Sequence, residues 1–256
     1  MSDFLNKNSI GSTDTKLPYL HSTRSFNIEK IIQDNELSLS FCNDFGEDLI
    51  YFFRGRPAYK ASSDGEEASY WQLPTCFIHD RLPRVKVERT FPFDSGAFKQ
   101  GRYPDYIKLM PIDDFQVDGT DASDRIVEAF FGDINNYVLG GPKSESELTE
   151  SYDISAFDAE VLAIRRLAAD GTPKTFDDRR FTIEVQSSMP VDLQIDPPSA
   201  VILPLNYLEE ERVQVALEKW HAQPITYDVH SQSLELYYGV IFQKFIDYLK
   251  QKSLLK

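Results

Sequence analysis

The chain has 256 residues, 41% hydrophobic and 27% charged, which is enough to bury a core and ordinary for a globular protein. Its net charge of −14 disfavours non-specific adhesion to nucleic acid or to an anionic membrane. Only two cysteines occur, Cys42 and Cys76, and no apolar run reaches the length of a signal-peptide core or a bilayer span. The expectation is a cytoplasmic protein with no disulfide framework and no membrane contact.

Residues 1–16 are polar and read as a flexible tail, leaving 17–256 as a single domain with insertions. Tyr19-Leu20 fits a short strand leading into His21-Ser-Thr23. Ser25 is placed to cap a helix whose apolar face carries Phe26, Ile28, Ile31 and Ile32. A histidine there suits either a ligand hydroxyl or amide, or plain exposure in a turn. After a loop over Asn43–Asp48, Leu49–Phe53 reads as a buried strand that ends in Arg54-Gly-Arg56-Pro57. Two arginines on a rigid strand end suit an anionic guest, or they are simply solvated. Arg54 and Arg56 are expected on opposite sides of a strand running through Gly55. Asp64-Gly65 signals a turn, and Trp71–His79 reads as a strand with a structural His79.

Seven basic residues against three acids fall between Arg81 and Lys108, a basic island in an acidic chain. From Asp113 to Glu160 the only basic residues are Arg125 and Lys143. Phe91–Phe98 reads as a shaped loop. Helices are expected over Ala122–Phe131 and over Ile154–Ala169, the latter with Phe157, Val161, Ile164 and Leu167 inward and stopped by Gly171-Thr-Pro. Leu139–Glu150 is the most loop-like stretch. Asp177-Asp-Arg-Arg leads into an alternating strand, Phe181–Gln186. Ala200–Leu203 and Ile225–Tyr227 read as short strands. Asn206-Tyr-Leu-Glu209 has capping-box spacing for a helix to Trp220, and Leu234–Leu249 is a closing amphipathic helix. No metal spacing, dinucleotide fingerprint or phosphate loop is found, so no metal is expected.

Three separated motifs stand in a telling order: His21-Ser-Thr23 before a helix, Ile50-Tyr-Phe-Phe-Arg-Gly-Arg-Pro-Ala-Tyr59, and Arg179-Arg180 ahead of Glu184. This order resembles the ADP-ribosyltransferase superfamily, in particular the DarT-like nucleic-acid-modifying toxins. The resemblance implies an α+β fold of ADP-ribosyltransferase-like split antiparallel β-sheets with peripheral helices. It implies NAD as ADP-ribose donor, with His21, Thr23, Tyr51, Arg54, Arg56 and Tyr59 on the cofactor, Arg56 on its pyrophosphate. Glu184 would be the catalytic glutamate, beside Arg56 and His21. Ala159-Glu160 is the other match to the glutamate motif. NAD cleavage passes through an oxocarbenium-like cation that a carboxylate stabilises. Arg84, Lys86, Arg89, Arg179 and Arg180 would hold a nucleic-acid acceptor. A toxin of this kind implies a neutralising antitoxin. A protein acceptor, which suits the acidity of the chain, and a non-catalytic module docking through its acidic 113–160 region are the alternatives.

Overall fold

The computed structural model describes residues 1–12, 15–58, 68–171, 178–230 and 234–256. Tyr59, the Asp64-Gly65 turn, the Thr172-Pro173 stop and Asp177 lie outside them. The chain is mixed α+β, with a mostly antiparallel sheet and surrounding helices. It divides into two compact units: residues 1–15 with 87–186, and residues 16–86 with 187–256. In chain order the strands are β1 (Tyr19–Arg24), β2 (Glu36–Leu37), β3 (Ser40–Cys42), β4 (Glu47–Arg54), β5 (Pro74–His79), β6 (Val87–Phe91), β7 (Glu184–Ser187), β8 (Val191–Asp192), β9 (Ala200–Pro204) and β10 (Gln223–Tyr227).

In the second unit, β1 is flanked by β4 and β5, both antiparallel. The β1–β5 ladder runs from Tyr19 opposite His79 to Arg24 opposite Pro74. β5 pairs antiparallel with β9 on its other side, and β9 pairs parallel with β10. Every residue of β5 is buried, including the polar Thr75 and His79, as an interior strand covered on both faces requires. β3 pairs with β4, and β2 forms a separate ladder with β8. The closing helix begins at Tyr237 after a 3₁₀ turn over Leu234–Leu236 and runs to Gln251, burying Tyr237, Ile241, Phe245 and Leu249. The expected helix from Asn206 is two helices, Leu205–Leu208 and Glu211–Trp220, and Asn206 caps neither. Ser25 is not a cap either. Its hydroxyl lies buried against the Leu73 carbonyl at 2.9 Å and Thr75 at 2.8 Å, ahead of the Ile28–Asp34 helix, and Phe26 is exposed.

Regular strand geometry stops at Arg54, because Gly55 takes φ +62°. That left-handed turn lets the Gly55 N–H donate to the Pro18 carbonyl at 2.8 Å. A Cβ there would lie 2.8 Å from Leu17 Cδ1. Gly55→Ala is therefore expected to cost about 1–3 kcal/mol, from the left-handed backbone and the overpacking together, read by urea denaturation. An unchanged midpoint would mean that the turn relaxes freely.

The first unit begins with a helix, Ser2–Lys7, and not with a loose tail. Phe4 and Leu5 are fully buried. The Met1 amino group donates to the Asp114 carbonyl at 2.7 Å, and Arg125 donates to the Ile10 carbonyl at 2.8 Å and to Asn6 at 2.8 Å. Polar composition suggested mobility, but two adjacent apolar side chains and these bonds pin the segment. Leu139–Glu150 is likewise not all loop. The Ile134–Leu139 helix ends on Gly140 in the left-handed region, and Ser144 opens Glu145–Ser151 through a complete capping box with Glu147. The next helix starts late, at Ala159, because Asp158 captures the N–H and hydroxyl of Ser155. Phe157 is accordingly 96% exposed instead of facing inward. Phe91–Phe98 is mostly core: Phe93 packs on Phe91, Phe98, Tyr103 and Phe115, and Asp94 caps a helix over Ser95–Lys99.

Candidate functional site

β1 delivers His21 and Thr23 to one cavity of about 300 Å³ in the second unit. Tyr51, from β4, lines it too, with Asn27, Lys30 and Glu36. Residues 21 and 23 share a face of the strand because side chains alternate. The His21 Nδ1 lies 3.0 Å from the Tyr51 carbonyl oxygen. A carbonyl only accepts, so Nδ1 carries the proton and Nε2 is left as the acceptor. Burial lowers the His21 pKa, opposed by that carbonyl, and keeps the ring neutral near pH 7. Thr23 Oγ1 accepts from Asn27 Nδ2 at 2.7 Å, which orients the hydroxyl so that its own hydrogen is available to a guest. Asn27 thus fixes the Thr23 hydroxyl from four residues on, in the turn that follows the strand, a contact the sequence did not single out.

Phe52 separates His21 from His79, with ring centroids 6.0 and 6.3 Å away. Burial first, and His21 second, push the His79 pKa down to about 3, which fits its structural reading. The described lining of this cavity includes neither Arg54 nor Arg56. Both arginines are buried, at 4% and 2% exposure. The Arg54 guanidinium stacks 4.3 Å over the Tyr19 ring and that of Arg56 4.8 Å over Phe242. They do not divide into one inward and one outward side chain, because the turn at Gly55 breaks the alternation that would have separated them.

A second constellation lies wholly in the first unit. Glu184, on β7, is 1% exposed and not an outward strand residue. Its Oε1 accepts from Ser95 Oγ at 2.6 Å and from Gln186 Nε2 at 2.7 Å, and its Oε2 accepts from the Ser95 N–H at 3.1 Å. Gln186 in turn accepts from Arg89 at 2.9 Å. Asp94 receives Arg179 at 3.4 Å. Burial, and then the neighbouring Asp94, raise the Glu184 carboxyl to about 8 against the three donors, which favour its ionised form. Sequence reasoning missed Ser95 and Gln186. Gln186 shares the strand face of Glu184 two residues on, and Asp94-Ser95 carries an N-cap signal.

Arg179 and Arg180 are buried and engaged, the latter donating to the Leu167 carbonyl at 3.1 Å and stacking on Phe181, so neither is an exposed phosphate contact. Arg84 is exposed and paired with Asp196 at 3.5 Å. The basic island also divides, with Arg84 and Lys86 in one unit and Arg89 in the other. Glu160 opens the Ala159–Ala169 helix, where it pairs with the Met1 amino group at 3.4 Å. Among the described residues no group of three or more His, Cys, Asp or Glu side chains is arranged to hold a metal ion, and no helix is long and apolar enough to cross a membrane.

Comparison with protein-family models, with curated proteins and with solved structures yields no match.

Proposed function

We propose that the chain is an NAD-dependent ADP-ribosyltransferase acting on nucleic acid, as a toxin or defence effector. The observation that carries this reading is the convergence of His21, Thr23 and Tyr51 on one cavity, since these are residues that the sequence resemblance assigns to the donor. In this reading His21 Nε2 accepts from a ribose hydroxyl, Thr23 donates to the nicotinamide carboxamide, and the Tyr51 side chain packs on the nicotinamide ring. A cavity of about 300 Å³ suits a nicotinamide riboside end more than a whole dinucleotide. The same resemblance gives Glu184 the role of the carboxylate that stabilises the ribosyl cation: nicotinamide leaves with the bonding electron pair, and an acceptor atom bonds to the ribose carbon and gives up its proton. The split antiparallel sheets of that superfamily and a neutralising antitoxin are part of the same proposal. With Arg179 and Arg180 buried, the exposed Arg84 and Lys86 are the better acceptor contacts.

The test is incubation with NAD labelled in its adenylate part, together with DNA, RNA or lysate protein. Label is expected on a nucleic acid. His21→Ala is expected to weaken NAD binding by about tenfold, in line with loss of one or two buried hydrogen bonds. Label on protein alone would move the acceptor. Absence of NAD consumption with every acceptor would overturn the enzymatic reading.

A further inference from the structure

Two further cavities of the second unit adjoin each other, apart from the one that holds His21. The first, about 280 Å³, is lined by Glu29, Tyr70, Tyr207, Glu210 and Arg212 among others. The second, about 520 Å³, takes in Trp71, Glu209 and Asp228, and Tyr70 and Asn206 line both. Tyr70 and Trp71 remain 48% and 45% exposed. They stand on a single 3₁₀ turn, Tyr70–Gln72, whose entry is held by a reciprocal capping box between Ser69 and Gln72. The aromatic faces are thus held in place before any ligand arrives. The rings of Tyr70 and Tyr207 lie 5.9 Å apart at 60°, forming two walls of the first cavity.

Among the described residues the charge around these rings is predominantly negative. Glu29, Glu209, Glu210 and Asp228 line the two cavities with one guanidinium, Arg212, which is bound to Glu29 at 3.0 Å. Aromatic faces present negative quadrupole to a cation, and adjacent carboxylates reinforce it. An uncharged apolar guest would gain contact with Ile28, Ile32 and Val213 but would leave the desolvated carboxylates without a partner. A polyanion would be repelled.

We infer that this double cavity binds a basic segment of a partner protein. One arginine or lysine side chain sits against Tyr70 and Tyr207, and a second sits beside Trp71 and Asp228. Two adjoining cavities with a shared wall suit successive cations of one chain, whereas a single small cation would leave one of them empty. The inference stands apart from the transferase reading, because it uses none of the residues assigned to NAD.

The test is titration of the full chain into a fluorescein-labelled octapeptide of alternating arginine and glycine, followed by anisotropy at low and high ionic strength. Saturable binding is expected, weakened about tenfold in Tyr207→Leu, which keeps the apolar volume and removes the phenol ring. Glu209→Gln with Glu210→Gln should weaken it comparably, and Glu150→Gln, an exposed acid of the other unit, should leave it unchanged. Tyr70→Leu, at a more exposed position, serves if Tyr207→Leu does not fold. No binding, or equal binding to all variants, would overturn the inference, the latter marking adhesion to the overall negative charge. Full displacement by tetramethylammonium at matched cation concentration would also overturn it, in favour of a small-molecule site.

Discussion

Glu184→Gln is expected to lower the rate of NAD cleavage by about 10²- to 10³-fold, the usual loss when a group that stabilises transition-state charge is removed. Glutamine keeps the shape and one acceptor oxygen for Ser95 Oγ and Gln186 and loses only the longer bond from the Ser95 N–H, so the unit should remain folded. Glu160→Gln is the matched control and should act mildly, because Glu160 is engaged at a helix start with the Met1 amino group. The reverse pattern, with Glu160→Gln dead and Glu184→Gln active, would transfer the role to the Ala159-Glu160 motif.

The raised carboxyl adds a pH dependence with a definite sign. Unfolding drops the Glu184 pKa from about 8 to its ordinary value of 4.5. Between those values the folded chain binds a proton that the unfolded chain does not, so this group's contribution to stability falls as pH rises through the window. The slope is at most about 1.4 kcal/mol per pH unit. It should be missing in Glu184→Gln, which chemical denaturation at pH 5, 6.5 and 8 would reveal as a difference between the two proteins. Catalysis should run the other way and climb toward pH 8 as the stabilising anion forms. An activity that declines over that interval would contradict an anionic role for Glu184.

Arg56→Ala is expected to destabilise the fold by about 2–5 kcal/mol, the range for truncating a large buried side chain. Arg56 is 2% exposed and its guanidinium lies on Phe242, so its removal leaves both a cavity and an uncovered ring. Lysine should restore only part of the loss, because an ammonium has no planar face to stack. Urea denaturation reads the stability and calorimetric titration with NAD reads the affinity. A variant of normal stability whose NAD affinity falls by about 1.5–3 kcal/mol would restore Arg56 as a pyrophosphate clamp, since that is the range for a hydrogen bond to a charged group.

The contrast between these two residues shows what kind of information lay in the chain. Both were legible as candidates from their neighbours: Arg56 from the strand and proline around it, Glu184 from the alternation of Phe181–Gln186. Neither burial was legible. Local pattern says which side of a strand a residue takes, but not what covers that side. The Gly55 turn was visible as a glycine, yet its φ of +62° and its contact with Leu17 depend on a segment about forty residues earlier in the chain.

By itself the sequence determined the existence of β1, β4, β5, β9 and β10, together with the Ala122–Phe130 and closing helices, whereas the α+β class came with the resemblance. Periodicity, caps and glycine or proline stops act over a few residues, so each element carries its own signal. Only the tertiary structure decided that Ser95 serves Glu184 across 89 residues, and that the polar N-terminus is pinned by Asp114 and Arg125 more than a hundred residues away. Such bonds depend on which distant segments the folded chain brings together. A buried carboxylate needs donors wherever the backbone supplies them, and their sequence distance leaves no local trace.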